Sequence, residues 1–126
     1  YPRLKNFKRY DKILNGDEVN KLWNRSKLTA TIYNPQVREG SAPRVFDAAL
    51  TKVLQIVQNT PTIQDLFPGI NVPVFRSISE FNEKLDYYLN HPKEREELVE
   101  EMFEIAKNKH LFIHRVKTIM EFLNNR

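Results

Sequence analysis

Leu28-Thr29-Ala30-Thr31-Ile32-Tyr33 precedes Glu39-Gly40-Ser41-Ala42-Pro43-Arg44-Val45-Phe46-Asp47, which runs on into Ala48-Ala49-Leu50. The first run is apolar and β-prone, and the last three residues are good helix formers. The stretch therefore predicts strand, loop and helix start. Pro43 suits the first helical turn, where its missing N–H costs nothing. The first N–H groups of a helix have no intrahelical partner and carry partial positive charge, so an anion is favoured there. Arg44 adds a fixed cation with a planar fork of donors. Asp47 lies one turn further in, near the same rim. A strand end, a small-residue loop and a helix N-terminus form the ligand crevice of parallel α/β sheets, so the stretch points to a phosphate-bearing ligand.

Working outward, strands alternate with helices. Asn15 or Asp17 can cap a helix running to about Arg25, with Val19, Leu22 and Trp23 on its inner side. Residues 28–33 are apolar enough to be buried on both faces, and Asn34-Pro35 ends them. A helix from about Pro43 to Thr51 follows, then a buried strand, Val53-Leu54-Gln55-Ile56-Val57. Asn59-Thr60-Pro61-Thr62 is a turn, and Ile63 to Phe67 a short helix stopped by Pro68-Gly69. Val72-Pro73-Val74-Phe75 is a short strand whose proline assigns it to an edge. Leu4 to Arg9 adds a possible first strand. Three helices close the chain. Ser77 and Glu80 have capping-box spacing, Pro92 opens the second helix, and Phe112, Val116, Ile119 and Leu123 recur along the third. The fold expected is one α/β domain over 1–126, a Rossmann-like parallel sheet of about four strands.

Composition narrows the function classes. A chain of 126 residues can bury its own core, and 40% apolar residues is ordinary for a globular protein. Cysteine is absent, which excludes disulfides and thiolate metal sites. No apolar run is long enough to span a bilayer, and no signal peptide heads the sequence. Tyr1 in first position points to a fragment of a longer chain. The net charge of +4 is mild. Arg3, Lys5, Lys8, Arg9 and Lys12 could form a basic patch, but no nucleic-acid motif accompanies them, and an ordinary solvated face explains them more simply. The acids of 94–104 read the same way. His110 and His114, four apart, share a helix face and a spacing that can hold zinc; with no third ligand evident, a buried or capping role suits His114 better. Trp23 and Tyr87-Tyr88 read as packing residues.

From about residue 5 to the end, the motifs together resemble the C-terminal, donor-binding half of a GT-B glycosyltransferase. The branch resembled includes spore-coat and spore-maturation glycosyltransferases. That family carries a Glu, seven residues and a second Glu, matched by Glu39 and Asp47, with Gly40 after the first acid. Its Arg-aliphatic-Phe-Glu run is matched by Arg44-Val45-Phe46-Asp47, and its Thr-Pro…Leu-Phe turn by Thr60-Pro61 and Leu66-Phe67. Tyr88-Leu89, Pro92 and Glu94-Arg95 match the next break, and His110, His114 and Arg115 the closing His-x-x-x-His-Arg.

The resemblance implies a nucleotide-sugar donor, with Asp47 on the ribose hydroxyls and Glu39, Gly40, Ser41 and Ala42 facing the sugar and diphosphate. Arg44 becomes a diphosphate contact. It implies no metal or other cofactor, because cations and helix amides neutralise the leaving diphosphate. It also implies a cytoplasmic enzyme whose acceptor-binding half, with the catalytic groups, lies outside this sequence, so that this part alone transfers nothing. There are two departures. Asp47 replaces a Glu, shortening the reach by about 1.5 Å, and Lys52 stands where the family usually has a Gly. Both fit the alternative of a non-catalytic α/β module that has lost the chemistry.

Overall fold

The computed structural model describes residues 13–33 and 43–125. The possible strand at Leu4–Arg9, the basic patch and Glu39, Gly40, Ser41 and Ala42 lie outside them. The described elements alternate as expected. Helix α1 (Gly16–Asn24) leads to strand β1 (Leu28–Thr31), helix α2 (Arg44–Leu50), strand β2 (Leu54–Gln58), helix α3 (Ile63–Leu66) and strand β3 (Val74–Phe75). Helices α4 (Ile78–Asn90), α5 (Pro92–Lys109) and α6 (Phe112–Asn124) complete the order. Among the described residues the sheet has three parallel strands in the order β1-β2-β3, where the sequence predicts about four.

Local chemistry sets the helix ends. Asn15 caps α1: its Oδ1 accepts from Glu18 N at 2.9 Å while Glu18 Oε2 accepts from Asn15 N at 3.0 Å. Two of the orphan N–H groups of the first turn are thereby satisfied. Ser77 caps α4 by accepting from Glu80 N. Glu80, however, reaches one residue further back than a capping box requires, to Arg76 N at 2.8 Å. Pro92 opens α5.

The central strand carries the core. Leu54, Gln55, Ile56 and Val57 of β2 are at most 1% exposed, as a parallel strand covered on both faces should be. Around them pack Val45 and Ala49 of α2, Ile63 and Phe67 near α3, and Met102 and Ala106 of α5. Among the described residues β3 lies at an edge of the sheet, as expected: the carbonyl of Pro73 accepts from Val57 N at 2.8 Å, so the missing proline N–H is not needed by the ladder. One expectation fails. β1 is not buried on both faces, since Ala30 is exposed and Ile32, just beyond it, is 69% exposed; β1 ends the described sheet. The apolar positions Phe112, Val116, Ile119 and Leu123 of α6 are exposed as well.

One buried polar residue ties the layers together. Gln55 is fully buried, accepts from Thr31 Oγ1 of β1 at 3.1 Å, and donates through Nε2 to the carbonyl of Val45 in α2. Neutral hydrogen bonds contribute about 1 kcal/mol net, but leaving their buried partners unpaired costs about 1–3 kcal/mol. Gln55→Leu keeps the volume and removes both bonds. It should destabilise the protein by about 1–3 kcal/mol in urea unfolding; a loss below about 0.5 kcal/mol would show that the bonds contribute little.

Lys52 adopts φ 56°, the left-handed region that favours glycine. Its Nζ lies 2.8 Å from both carboxylate oxygens of Glu100 and 4.4 Å from the Phe103 ring centroid. A non-glycine residue in this conformation costs about 1–2 kcal/mol. The partly exposed ion pair returns about 0.2–1 kcal/mol and the cation–π contact about 0.5–1 kcal/mol. Lys52→Ala keeps the cost and loses the returns, so it should destabilise by about 1 kcal/mol, whereas Lys52→Gly should stay within about 0.5 kcal/mol of the parent. Equal losses in the two variants would contradict this balance.

Candidate functional site

Helix α2 presents three faces. Val45, Ala48 and Ala49 are buried and fix its roll against the sheet. Arg44, Asp47 and Thr51, spaced i, i+3, i+7, line a cleft of about 850 Å³ that Val19 and Trp23 of α1 and Thr31 of β1 complete. Pro43, Phe46, Asp47 and Leu50, spaced i, i+3, i+4, i+7, line a second cavity of about 270 Å³ closed by His110, Leu111, Phe112 and Arg115. Asp47 therefore stands on the ridge between the two.

Helix α2 begins at Arg44, directly after Pro43, close to the start that the sequence predicts. The tip is not covered, since Pro43, Arg44 and Asp47 are all exposed. Arg44 and Asp47, three apart, share a face with Cβ atoms about 5–6 Å apart, and neither belongs to an ion pair among the described residues. At seven residues the helix is shorter than expected, so positive charge at this end comes mainly from the Arg44 side chain. The strand end leading to the site is also held: Tyr33 is buried and its N–H donates to Gln58 Oε1 at 2.9 Å.

A cluster that sequence reasoning did not assign to the site lies beside it. The Phe46 ring stacks on His110 at 4.6 Å and 27°, and Phe67 completes an aromatic group with both. His110 Nε2 lies 2.7 Å from the carbonyl of Leu66 and must carry the proton of that bond. Its Nδ1 then has a free lone pair, which Arg115 approaches at 3.4 Å. The Arg115 guanidinium also lies 5.5 Å from the Phe46 ring centroid. His114 has the capping role expected of it: its Nδ1 accepts from Leu111 N at 3.1 Å, ahead of α6. Three of the sequence segments singled out above thus meet in space: Arg44-Val45-Phe46-Asp47, Leu66-Phe67 and His110…His114-Arg115. The signal was in the chain, but its spacing across 71 residues gave no reason to join the segments.

Over residues 1–121 the sequence matches the family model described as glycosyl transferase-like. The chain belongs to the glycosyl transferase-like family. Comparison with curated proteins gives no match, and neither does comparison with solved structures. The small parallel sheet with helices agrees with a Rossmann-like glycosyltransferase fold. No described helix of this glycosyl transferase-like chain is long and apolar enough to cross a membrane.

His110 gives the family member a pH response. Burial, and then the charges of Arg115, Lys109 and His114, hold its imidazole below the ordinary value near 6.5, against the opposing pull of the Leu66 carbonyl. On acidification the unfolded chain therefore takes up this proton first, and stability is lost as pH falls through about 6.5. Melting temperature should drop between pH 7.5 and 5.5, more steeply in the parent than in His110→Gln; parallel curves would show that His110 does not contribute.

Proposed function

We propose that this domain binds the nucleotide-sugar donor of a glycosyl transfer reaction in the cleft between α1, β1 and α2. Asp47 accepts hydrogen bonds from the ribose hydroxyls. Arg44 pairs with the diphosphate, and the Glu39-Gly40-Ser41-Ala42 loop faces the sugar. The observation that carries the reading is the placement of one cation and one carboxylate, both exposed and i, i+3 on a helix fixed by the core, in a single cleft of about 850 Å³. A cleft of that size lies within the range usual for small-molecule sites, about 300–1,000 Å³.

The chemistry needed from this half is electrostatic. As the bond between the sugar and the diphosphate breaks, negative charge grows on the leaving diphosphate, and a fixed guanidinium stabilises it without reorganising. The reading calls on no metal. The acceptor, and the groups that handle it, belong to a further half of the enzyme, so the full activity and the spore-coat branch rest on the motif resemblance. A cytoplasmic setting follows from the same resemblance, since nucleotide-sugars are made there.

A non-catalytic module is the second reading, favoured by Asp47 and Lys52 in place of the family's Glu and Gly. The Lys52 departure carries little weight, because the left-handed turn survives and the side chain is anchored on Glu100 and Phe103. The Asp47 departure is testable. A charge-assisted hydrogen bond contributes about 1.5–3 kcal/mol, so Arg44→Ala and Asp47→Ala should each weaken binding of UDP or GDP by about tenfold or more in calorimetry. Unchanged affinity in both would overturn the donor reading, and no binding of any nucleoside diphosphate at millimolar concentration would favour the module.

A further inference from the structure

Asp47 touches both cavities, and the smaller has no role in the reading above. A nucleotide is linear in its chemistry: base, then ribose, then diphosphate. A carboxylate that holds the ribose therefore has the diphosphate on one side and the base on the other. Arg44 lines only the larger cleft. Aromatic residues line the smaller one: Phe46, stacked on His110, and Phe112, which is 90% exposed at its rim. Leaving a phenylalanine in water forgoes most of the stabilisation its burial would give, and a base stacking on it would recover that.

Resting on the donor reading, we infer that the cavity of about 270 Å³ between α2 and the α5–α6 junction takes the nucleobase, and that Arg115 selects bases whose exocyclic group at C4 of a pyrimidine or C6 of a purine is a carbonyl oxygen rather than an amino group: uracil or thymine through O4, guanine through O6. The selection follows from the hydrogen-bonding inventory of the lining side chains. His110 is used at both nitrogens, by the Leu66 carbonyl and by Arg115. Asp47 is occupied by ribose, and Pro43, Phe46, Leu50, Leu111 and Phe112 have no polar side-chain group. Arg115 remains, with a fork of five N–H donors and no acceptor, of which one long contact to His110 is used among the described residues. Donors match carbonyl oxygens, as arginine matches O6 and N7 of guanine. Adenine and cytosine turn an amino group toward the same position and meet donor with donor. The volume, slightly below that of drug-sized sites, suits one planar ring system rather than a whole nucleotide.

Equilibrium binding of UDP, GDP, ADP, CDP and inorganic pyrophosphate to the protein and to Phe112→Ala, Arg115→Ala and Asp47→Ala tests this. UDP or GDP should bind about tenfold or more tighter than ADP and CDP. Phe112→Ala should weaken the preferred nucleotide about tenfold, and Arg115→Ala should reduce the preference to less than about threefold. Pyrophosphate binding should be unchanged in both. Phe112 and Arg115 are exposed, so both variants should melt near the parent temperature. Tightest binding of ADP or CDP overturns the inference. So does parental UDP and GDP affinity in Phe112→Ala and Arg115→Ala while Asp47→Ala is impaired, an outcome that leaves the donor reading standing. Absence of binding by all four nucleotides sinks both.

Discussion

A single buried amide decides where the site can be. Gln55 sits in the middle of the central strand and is bonded to β1 on one side and to the first turn of α2 on the other. An unpaired amide at that depth would be costly, so the three elements are held in one relation. The apolar face of α2 then has only one seating, with Val45, Ala48 and Ala49 inward. The outward faces follow from helical geometry: Arg44 and Asp47 toward β1 and α1, Phe46 toward the α5–α6 junction. The position of Arg44 and Asp47 is thus a consequence of core packing rather than of a loop.

The alternation of strands and helices was legible because each element carried its own punctuation. Asn15, Ser77, Pro92 and the Pro68-Gly69 turn mark ends by local chemistry, with Gly69 at φ 83° where the turn requires it. Tertiary facts were not legible. Residues 28–33 have the composition of a strand buried on both faces, but burial depends on neighbours, and β1 ends the described sheet. The stripe of Phe112, Val116, Ile119 and Leu123 has core periodicity, yet all four are more than half exposed. Periodicity reports that a face is apolar, not that something covers it. Gln55 was hidden for the opposite reason: one polar residue in an apolar run gives no sign of being the joint between layers.

The candidate site divides along the same line. Arg44 and Asp47 could be placed on one rim from spacing alone, because i, i+3 on a helix is local geometry. The aromatic cluster could not, because Phe46, Phe67, His110 and Arg115 come from three distant segments. Lys52 lies between these cases. Its departure from the family pattern was visible, while its φ and its anchoring on Glu100 and Phe103 needed coordinates. Together they turn an apparent loss of a glycine into a local exchange of backbone strain against side-chain contacts.

The account depends on α2 serving as a two-sided ligand platform with Asp47 on its ridge. Backbone amide shifts of the ¹⁵N-labelled protein, followed during titration with UDP and GDP, test that platform directly. The account predicts saturable shifts at residues 44–51 and 110–115, with the exposed acidic face of α5 unmoved. Shifts absent from α2 at saturating nucleotide, or confined to the outer turns of α6, would contradict it.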